Sequence, residues 1–231
     1  MNIVSAILRA AHALEFHQFK AFAISCLEHK YPNRLDKLTT NRVEYAANTV
    51  QLARQCNVKS VLKRALYELV RAEGFRQETV LNTDDNHDEE ADSNQSALTI
   101  FDHSLLVHAR EQLTTFWFGK VFPPPAIIGC QNPRYNPCAA NWGKSPSIYK
   151  RLIIDSKIFE KYRYDPICGL DVIINAPWCR GETWPPTCGV DLPIIENDHL
   201  CRACAQKWRS SWREEKSMLW SKLDAWFQLS D

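Results

Sequence analysis

Four cysteines carry the strongest chemical signal in this chain. Cys201-Arg202-Ala203-Cys204 sets two thiols three residues apart at the opening of a long tryptophan-rich segment. At a helix start these thiols lie one turn apart, where they can grip a single metal ion, and the helix N-terminus favours the thiolate form. A second pair upstream, Cys130 and Cys138, completes a tetrahedral four-thiolate set of the kind that holds zinc. With four protein ligands the ion keeps no open position for water, so such a zinc would fold the domain without catalysing a reaction. The two pairs are uneven, one tight and one loose, and His199 or Cys188 could replace one ligand. The same residues also suit reduced thiols without a ligand, or a redox dithiol at Cys201 and Cys204.

Other catalytic patterns fall short. A thioredoxin-type Cys-x-x-Cys belongs in a βαβ context, which the sequence lacks. Gly143-Lys144-Ser145 looks like the end of a phosphate loop, but Cys138 stands where the loop needs glycine and no strand precedes it. There is no His-Glu-x-x-His and no Gly-x-Ser-x-Gly. His103 and His108, five apart, do not share a helix face and read as surface or helix-end residues. No catalytic residue is expected.

Composition bounds the rest. The 231 residues include 28 Lys and Arg against 27 Asp and Glu, a net charge of +1 that gives no general attraction to nucleic acid or an acidic membrane. Lys144, Lys150, Arg151, Lys157, Lys161 and Arg163 could make one basic helix, read first as a solvated face and second as a nucleic-acid contact. No apolar run reaches the ~20 residues of a spanning helix. Nine cysteines with no convincing secretory signal point to a reducing compartment, cytoplasmic or nuclear.

The elements that must position the cysteines are helices. Seven glycines are few for this length, and apolar residues recur at the helical period. Ile3, Ile7, Ala10, Ala11 and Leu14 mark one face, and Phe19, Phe22, Ala23 and Cys26 mark another. Val43, Ala46, Ala47, Val50 and Ala53 mark a third helix, and Val58, Val61, Leu62, Ala65 and Leu69 a fourth. Residues 1–76 thus read as stacked helical hairpins. Residues 77–97 hold seven acidic side chains and no Lys or Arg, the composition of a flexible linker. Residues 98–231 read as a Cys- and Trp-rich helical domain. There Asp102 or Ser104 caps a helix with Leu105, Leu106, Ala109, Leu113, Phe116 and Trp117 on one face, ended by Pro123-Pro124-Pro125. Ser145-Pro146 starts a helix carrying Ile148, Leu152, Phe159 and Tyr162, and Asp165-Pro166 starts a short one through Ile174. Residues 176–198 read as a loop. From Cys201, Trp208, Trp212, Leu219, Leu223 and Trp226 predict a C-terminal helix of roughly 28 residues with most tryptophans in the core. The fold class is all-α.

Several stretches together resemble a known pattern: Leu52-Ala53-Arg54-Gln55-Cys56-Asn57-Val58, Val61 to Leu69, Tyr164-Asp165-Pro166-Ile167-Cys168-Gly169-Leu170, and Leu200-Cys201-x-x-Cys204 followed by Trp212-Arg213-Glu214, Leu219-Trp220 and Leu223-Asp224-x-Trp226. They are similar to the C-terminal, BACK-like and Cys-rich region of BTB/POZ-domain proteins of a large basidiomycete fungal family. The resemblance implies that Ala6 to Glu28 corresponds to the last helices of a BTB domain or to the first helices of the region after it. It also implies that the sheet and dimerising strands of that domain are missing from an N-terminally truncated chain. Homodimerisation through a BTB core is therefore not expected. Cys179 and Cys188 inherit no role. The resemblance implies a non-enzymatic adaptor that binds other proteins. The competing readings are a zinc-stabilised nucleic-acid-binding module using residues 144–163, and a dithiol redox enzyme.

Overall fold

The computed structural model describes residues 2–72, 98–121, 130, 149–179, 181–183 and 200–229. The acidic linker expected at 77–97, the proline run at 123–125 and the helix start at Ser145-Pro146 lie outside these residues. Among the described residues, regular structure is helical apart from one isolated parallel bridge between Cys179 and Leu200, so the all-α expectation holds. Among the described residues, no helix is long and apolar enough to cross a membrane.

The helices are α1 (Asn2–Ala13), α2 (His17–Lys30), α3 (Ala46–Gln55), α4 (Leu62–Val70), α5 (Ile100–Phe116), α6 (Ile158–Lys161), α7 (Pro166–Ile174) and α8 (Arg202–Trp226), with π-type turns at Trp117–Val121 and Lys150–Asp155. The chain divides into two compact units, Met1–Arg110 with Leu223–Asp231, and Glu111–Lys222. This differs from the division expected at 97/98, and the start of α5 supplies the reason. Arg54 pairs with Asp102 at 3.3 Å, and the Arg110 guanidinium donates to the carbonyls of Val70 and Ala72, tying residues 98–110 to the first unit. The N-cap of α5 is Thr99, not Asp102 or Ser104: its hydroxyl accepts the Asp102 N–H at 3.0 Å and donates to the Asp102 carboxylate at 2.7 Å. Asp102 sits three residues further on, where a carboxylate complements the helix dipole.

In the first unit, α1 packs on α2 and α3 on α4. The turns between helices use left-handed residues other than glycine. Glu15 (φ 58°) and Asn57 (φ 53°) end α1 and α3, with Phe16 N–H bonded to Ala11 O at 2.9 Å and Val58 N–H to Ala53 O at 2.8 Å. These are six-to-one Schellman closures, each followed by an apolar residue. Helix α4 is buried on every side, including Lys63, Arg64 and Glu68. The Glu68 carboxylate accepts from Arg64 Nε at 2.8 Å, from Arg71 Nε at 2.9 Å and from the Val43 N–H at 3.2 Å. Arg71 also donates to Thr39 O at 2.6 Å and Asn41 O at 2.7 Å, and Arg64 to Lys37 O at 3.3 Å. Two guanidiniums on one carboxylate leave a positive charge, which these carbonyls meet, and the segment 37–43 is thereby held on α4. Lys63 reaches Asp224 at 2.7 Å, beside the buried Leu223 and Phe227.

The faces expected for α1 and α2 meet the core only in part, at Ala11 and Ala23, and their large apolar members do not. Leu8 and Ala11 of α1 and Ala23 and Leu27 of α2 are buried, while Ile3 (78% exposed), Phe19 (61%) and Phe22 (59%) face solvent, with Leu14 and Phe16 also exposed.

In the second unit, α7 starts and ends as expected. The Asp165 side chain accepts the Cys168 N–H at 3.3 Å, Pro166 comes next, and the helix closes at Ile174. Gly169 on this helix passes so close to Trp117 and Tyr162 that a Cβ would lie 2.5 and 2.7 Å from their atoms. The single basic helix expected from Ser145 through Tyr162 is not continuous. It breaks at Ser156 and Lys157, where Lys157 takes φ 61° and the Ser156 hydroxyl donates to Leu152 O at 2.6 Å and accepts the Ile158 N–H at 3.3 Å. A serine that satisfies the end of one helical turn and the start of the next stops the helix without any glycine.

Candidate metal centre

The site is built where α8 begins. Leu200 N–H donates to Trp178 O at 2.8 Å, so the chain entering the helix is held against the segment that leaves α7. Cys201 is the N-cap residue, its carbonyl accepting the Ala205 N–H at 3.0 Å, and Cys204 lies in the first turn. One turn further, Trp208 meets Trp178 edge to face at 5.2 Å between ring centroids, and both rings pack on Tyr149 at 6.1 and 6.2 Å. Trp178 and Tyr149 are buried; the Trp178 indole N–H donates to Ile173 O at 2.7 Å, and the Tyr149 hydroxyl donates to Val121 O. Burial pushes the Tyr149 phenol well above its ordinary pKa. Next to Trp208, Arg209 donates to Ile174 O at 3.0 Å and Ala176 O at 3.1 Å, and forks onto the Glu182 carboxylate at 2.7 and 3.0 Å. This fork seats α8 on the exposed carbonyl end of α7.

On this scaffold Cys130, Cys201 and Cys204 bring their sulfurs within 4.8 Å of one another. Cys130 and Cys201 lie 3.8 Å apart, although 71 residues separate them in sequence. A zinc–sulfur bond of about 2.3 Å in tetrahedral geometry sets sulfurs about 3.8 Å apart, whereas a disulfide needs about 2.05 Å. The 3.8 Å separation is too long for a disulfide and compatible with two thiolates on a common ion, so the three cysteines could hold a metal. Cys204 is buried and the other two are half-buried. Among the described residues, this is the group of three or more His, Cys, Asp or Glu side chains able to hold a metal. Three of the four expected ligands are thus brought together. Cys138, and the alternates Cys188 and His199, lie outside the described residues.

Cys179 stands apart from the cluster. Burial first, then the Glu182 charge, push its thiol up against the opposing pull of Arg209 and Arg202. Such a thiol is a packing residue, poorly suited to redox work. Burial also pushes Glu182 up, but the Arg209 hydrogen bond, the Cys179 N–H and the Arg209 charge outweigh it and hold the carboxyl below the usual glutamate range. The βαβ setting of a thioredoxin-type dithiol is not found among the described residues. Lys150 lies in the π-type turn, Lys157 at the break before α6, Lys161 in α6 and Arg163 in the turn after it, so these cations are not carried on one continuous helix. His103 lies at the start of α5, its ring nitrogen 3.0 Å from Thr99 O, as a helix-end histidine does. Trp208, Trp212 and Trp220 are core residues and Trp226 is half-buried.

Sequence reasoning misses Trp178, Glu182 and Arg209. The first two fall in a stretch that reads as a loop without period, and the third on a face of α8 that carries no apolar signal. Only a tryptophan directly beside a cysteine hints that the loop enters the core. Comparison with known proteins found no match of any kind: no family model, no curated protein and no solved structure.

Proposed function

We propose that this chain is a non-enzymatic protein-interaction module whose Glu111–Lys222 unit is pinned by a structural zinc ion. Cys130, Cys201 and Cys204 supply three thiolates, and Cys138 is the fourth that the sequence offers. The observation that supports the metal is the three-sulfur cluster drawn from segments 71 residues apart, its sulfurs within 4.8 Å of one another and the Cys130–Cys201 pair at 3.8 Å, close to the separation in a tetrahedral zinc site. A fully protein-ligated zinc serves the fold, which leaves binding as the activity to be explained.

The binding reading rests on the α1–α2 face. Ile3, Leu14, Phe16, Phe19 and Phe22 are each exposed, and the Phe16 and Phe19 rings lie 6.3 Å apart between centroids. A solvent-facing cluster of large apolar side chains is a mark of an interaction surface. These five side chains are apolar, so the partner they fit is an apolar face of another protein. The resemblance to fungal BTB/POZ proteins points the same way, toward an adaptor.

The test has two arms. Elemental analysis of the reduced full chain should give one zinc per chain, and a Cys201→Ser/Cys204→Ser variant should hold none. For binding, a photo-crosslinking residue at Phe19 should capture a defined protein that the same residue at Lys161 does not. That protein, purified, should bind the Phe19→Ser/Phe22→Ser variant at least tenfold more weakly with helicity unchanged. Equal affinity for the variant would remove the α1–α2 face from the function.

A further inference from the structure

We propose that the cysteine cluster is a peroxide-released zinc clamp, in which Cys130 and Cys201, and not the Cys201-x-x-Cys204 pair, join as a disulfide when the ion leaves. The proposal rests on the zinc reading and adds its regulation. Proximity permits this pair, and exposure favours it over either pairing with Cys204. Cys130 and Cys201 approach to 3.8 Å, so closing to a bonded distance of about 2 Å needs a movement of less than 2 Å. They are also the two half-buried members of the set, while Cys204 is buried. Oxidation of thiolates depends on access as well as thiolate character, so the oxidant meets these two first.

The step balances with hydrogen peroxide as the two-electron oxidant. One of the two thiolates attacks an oxygen of the peroxide; its O–O bond breaks, and a sulfenic acid and hydroxide form. The other thiolate then attacks the sulfenic sulfur, the S–O bond breaks, and a second hydroxide leaves as the S–S bond forms. Two sulfurs have been oxidised and one peroxide reduced, with solvent protons completing two waters. The zinc ion, having lost two anionic donors, dissociates.

The choice of pair decides what happens to the fold. A Cys201–Cys204 disulfide would close within the first turn of α8 and release the segment bearing Cys130. A Cys130–Cys201 disulfide keeps that segment tied to the start of α8 across 71 residues. The metal crosslink is then exchanged for a covalent one, and a thiol reductant with zinc restores the starting state.

The experiment uses the full chain, reduced and assayed for zinc, then titrated with hydrogen peroxide. Release is read with a chromogenic chelator, and the disulfide by mass spectrometry of tryptic peptides without reduction. Trypsin separates Cys130, Cys138 and Cys204 onto different peptides; Cys188 and Cys201 share one, so fragment ions assign the bond. The expected result is one zinc released per about one peroxide, a Cys130–Cys201 linkage, and recovery of zinc after dithiothreitol. A Cys204→Ser variant, which retains both partners, should form the same linkage. Zinc retained at excess peroxide, or released with Cys201 joined to Cys204 or Cys138, overturns the proposal and leaves the zinc reading standing. A chain that holds no zinc before oxidation overturns both.

Discussion

Replacing Glu68 with glutamine tests whether the buried charge cluster on α4 organises the first unit. The side chains of Arg64, Glu68 and Arg71 are each no more than 2% exposed, so nothing but protein compensates them. Glutamine keeps the shape and one carbonyl oxygen but turns an amide NH₂ toward guanidinium and backbone donors, and both arginines lose their counter-charge. Removing one partner of a buried ion pair costs about 3–5 kcal/mol. The carbonyls of Lys37, Thr39 and Asn41 remain in place to accept from Arg64 and Arg71, which puts the loss at the lower end, about 3 kcal/mol. That is roughly a hundredfold in the folded-to-unfolded ratio. Urea unfolding monitored by circular dichroism at 222 nm would read it, in a cycle with Arg71→Met alone and in combination. The coupling between the two sites should reach about 2 kcal/mol. A Glu68→Gln loss below about 1 kcal/mol with no coupling would refute the reasoning, and would mean that the loop 37–43 is held by packing and not by charge.

Local geometry sets other outcomes. Gly169→Ala should destabilise the second unit by about 1–2 kcal/mol, since overpacking against Trp117 and Tyr162 exceeds alanine's helix preference; a raised melting temperature would contradict the close approach. Glu15→Gly should stabilise the chain by about 0.5 kcal/mol, because glycine holds the left-handed turn after α1 at less cost, and a matched melt against Glu15→Ala reads the difference. Glu182 has its carboxyl held below the glutamate range by Arg209, so its contribution is present above the unfolded value of about 4.3 and is lost as pH falls through the lower folded value. Glu182→Gln should therefore flatten the acid limb of the stability profile, and an unchanged limb would remove the Arg209 fork from the account.

What the sequence reveals and what it hides divide along the range of the interactions. Helix α7 is legible at both ends because Asp165 and Pro166 act on their own next turn. The buried face of α5, from Leu105 to Trp117, and the spacing of Trp208, Trp212, Leu219 and Leu223 on α8 are legible because one helix side meets the core. In α1 and α2 two apolar sides compete, and hydropathy cannot say which one a neighbour covers. The burial of the polar residues of α4 is hidden, because pairing among Arg64, Glu68 and Arg71 depends on geometry that a hydropathy pattern does not hold. The ends of α1 and α3 are hidden because Glu15 and Asn57 do the work usually given to glycine. At the metal centre the ligand types are legible, and three of the cysteines do converge. The support beneath them is not, since Trp178, Glu182 and Arg209 act only after the loop has folded back.

The aromatic group of Tyr149, Trp178 and Trp208 gives the second unit an optical signature of its own. Two indoles 5.2 Å apart and inclined at 76° couple their electronic transitions, so the start of α8 should produce a paired positive and negative band in circular dichroism that isolated tryptophans lack. Because Trp208 stands one turn beyond Cys204, that couplet reports on the cysteine cluster in real time and without a label.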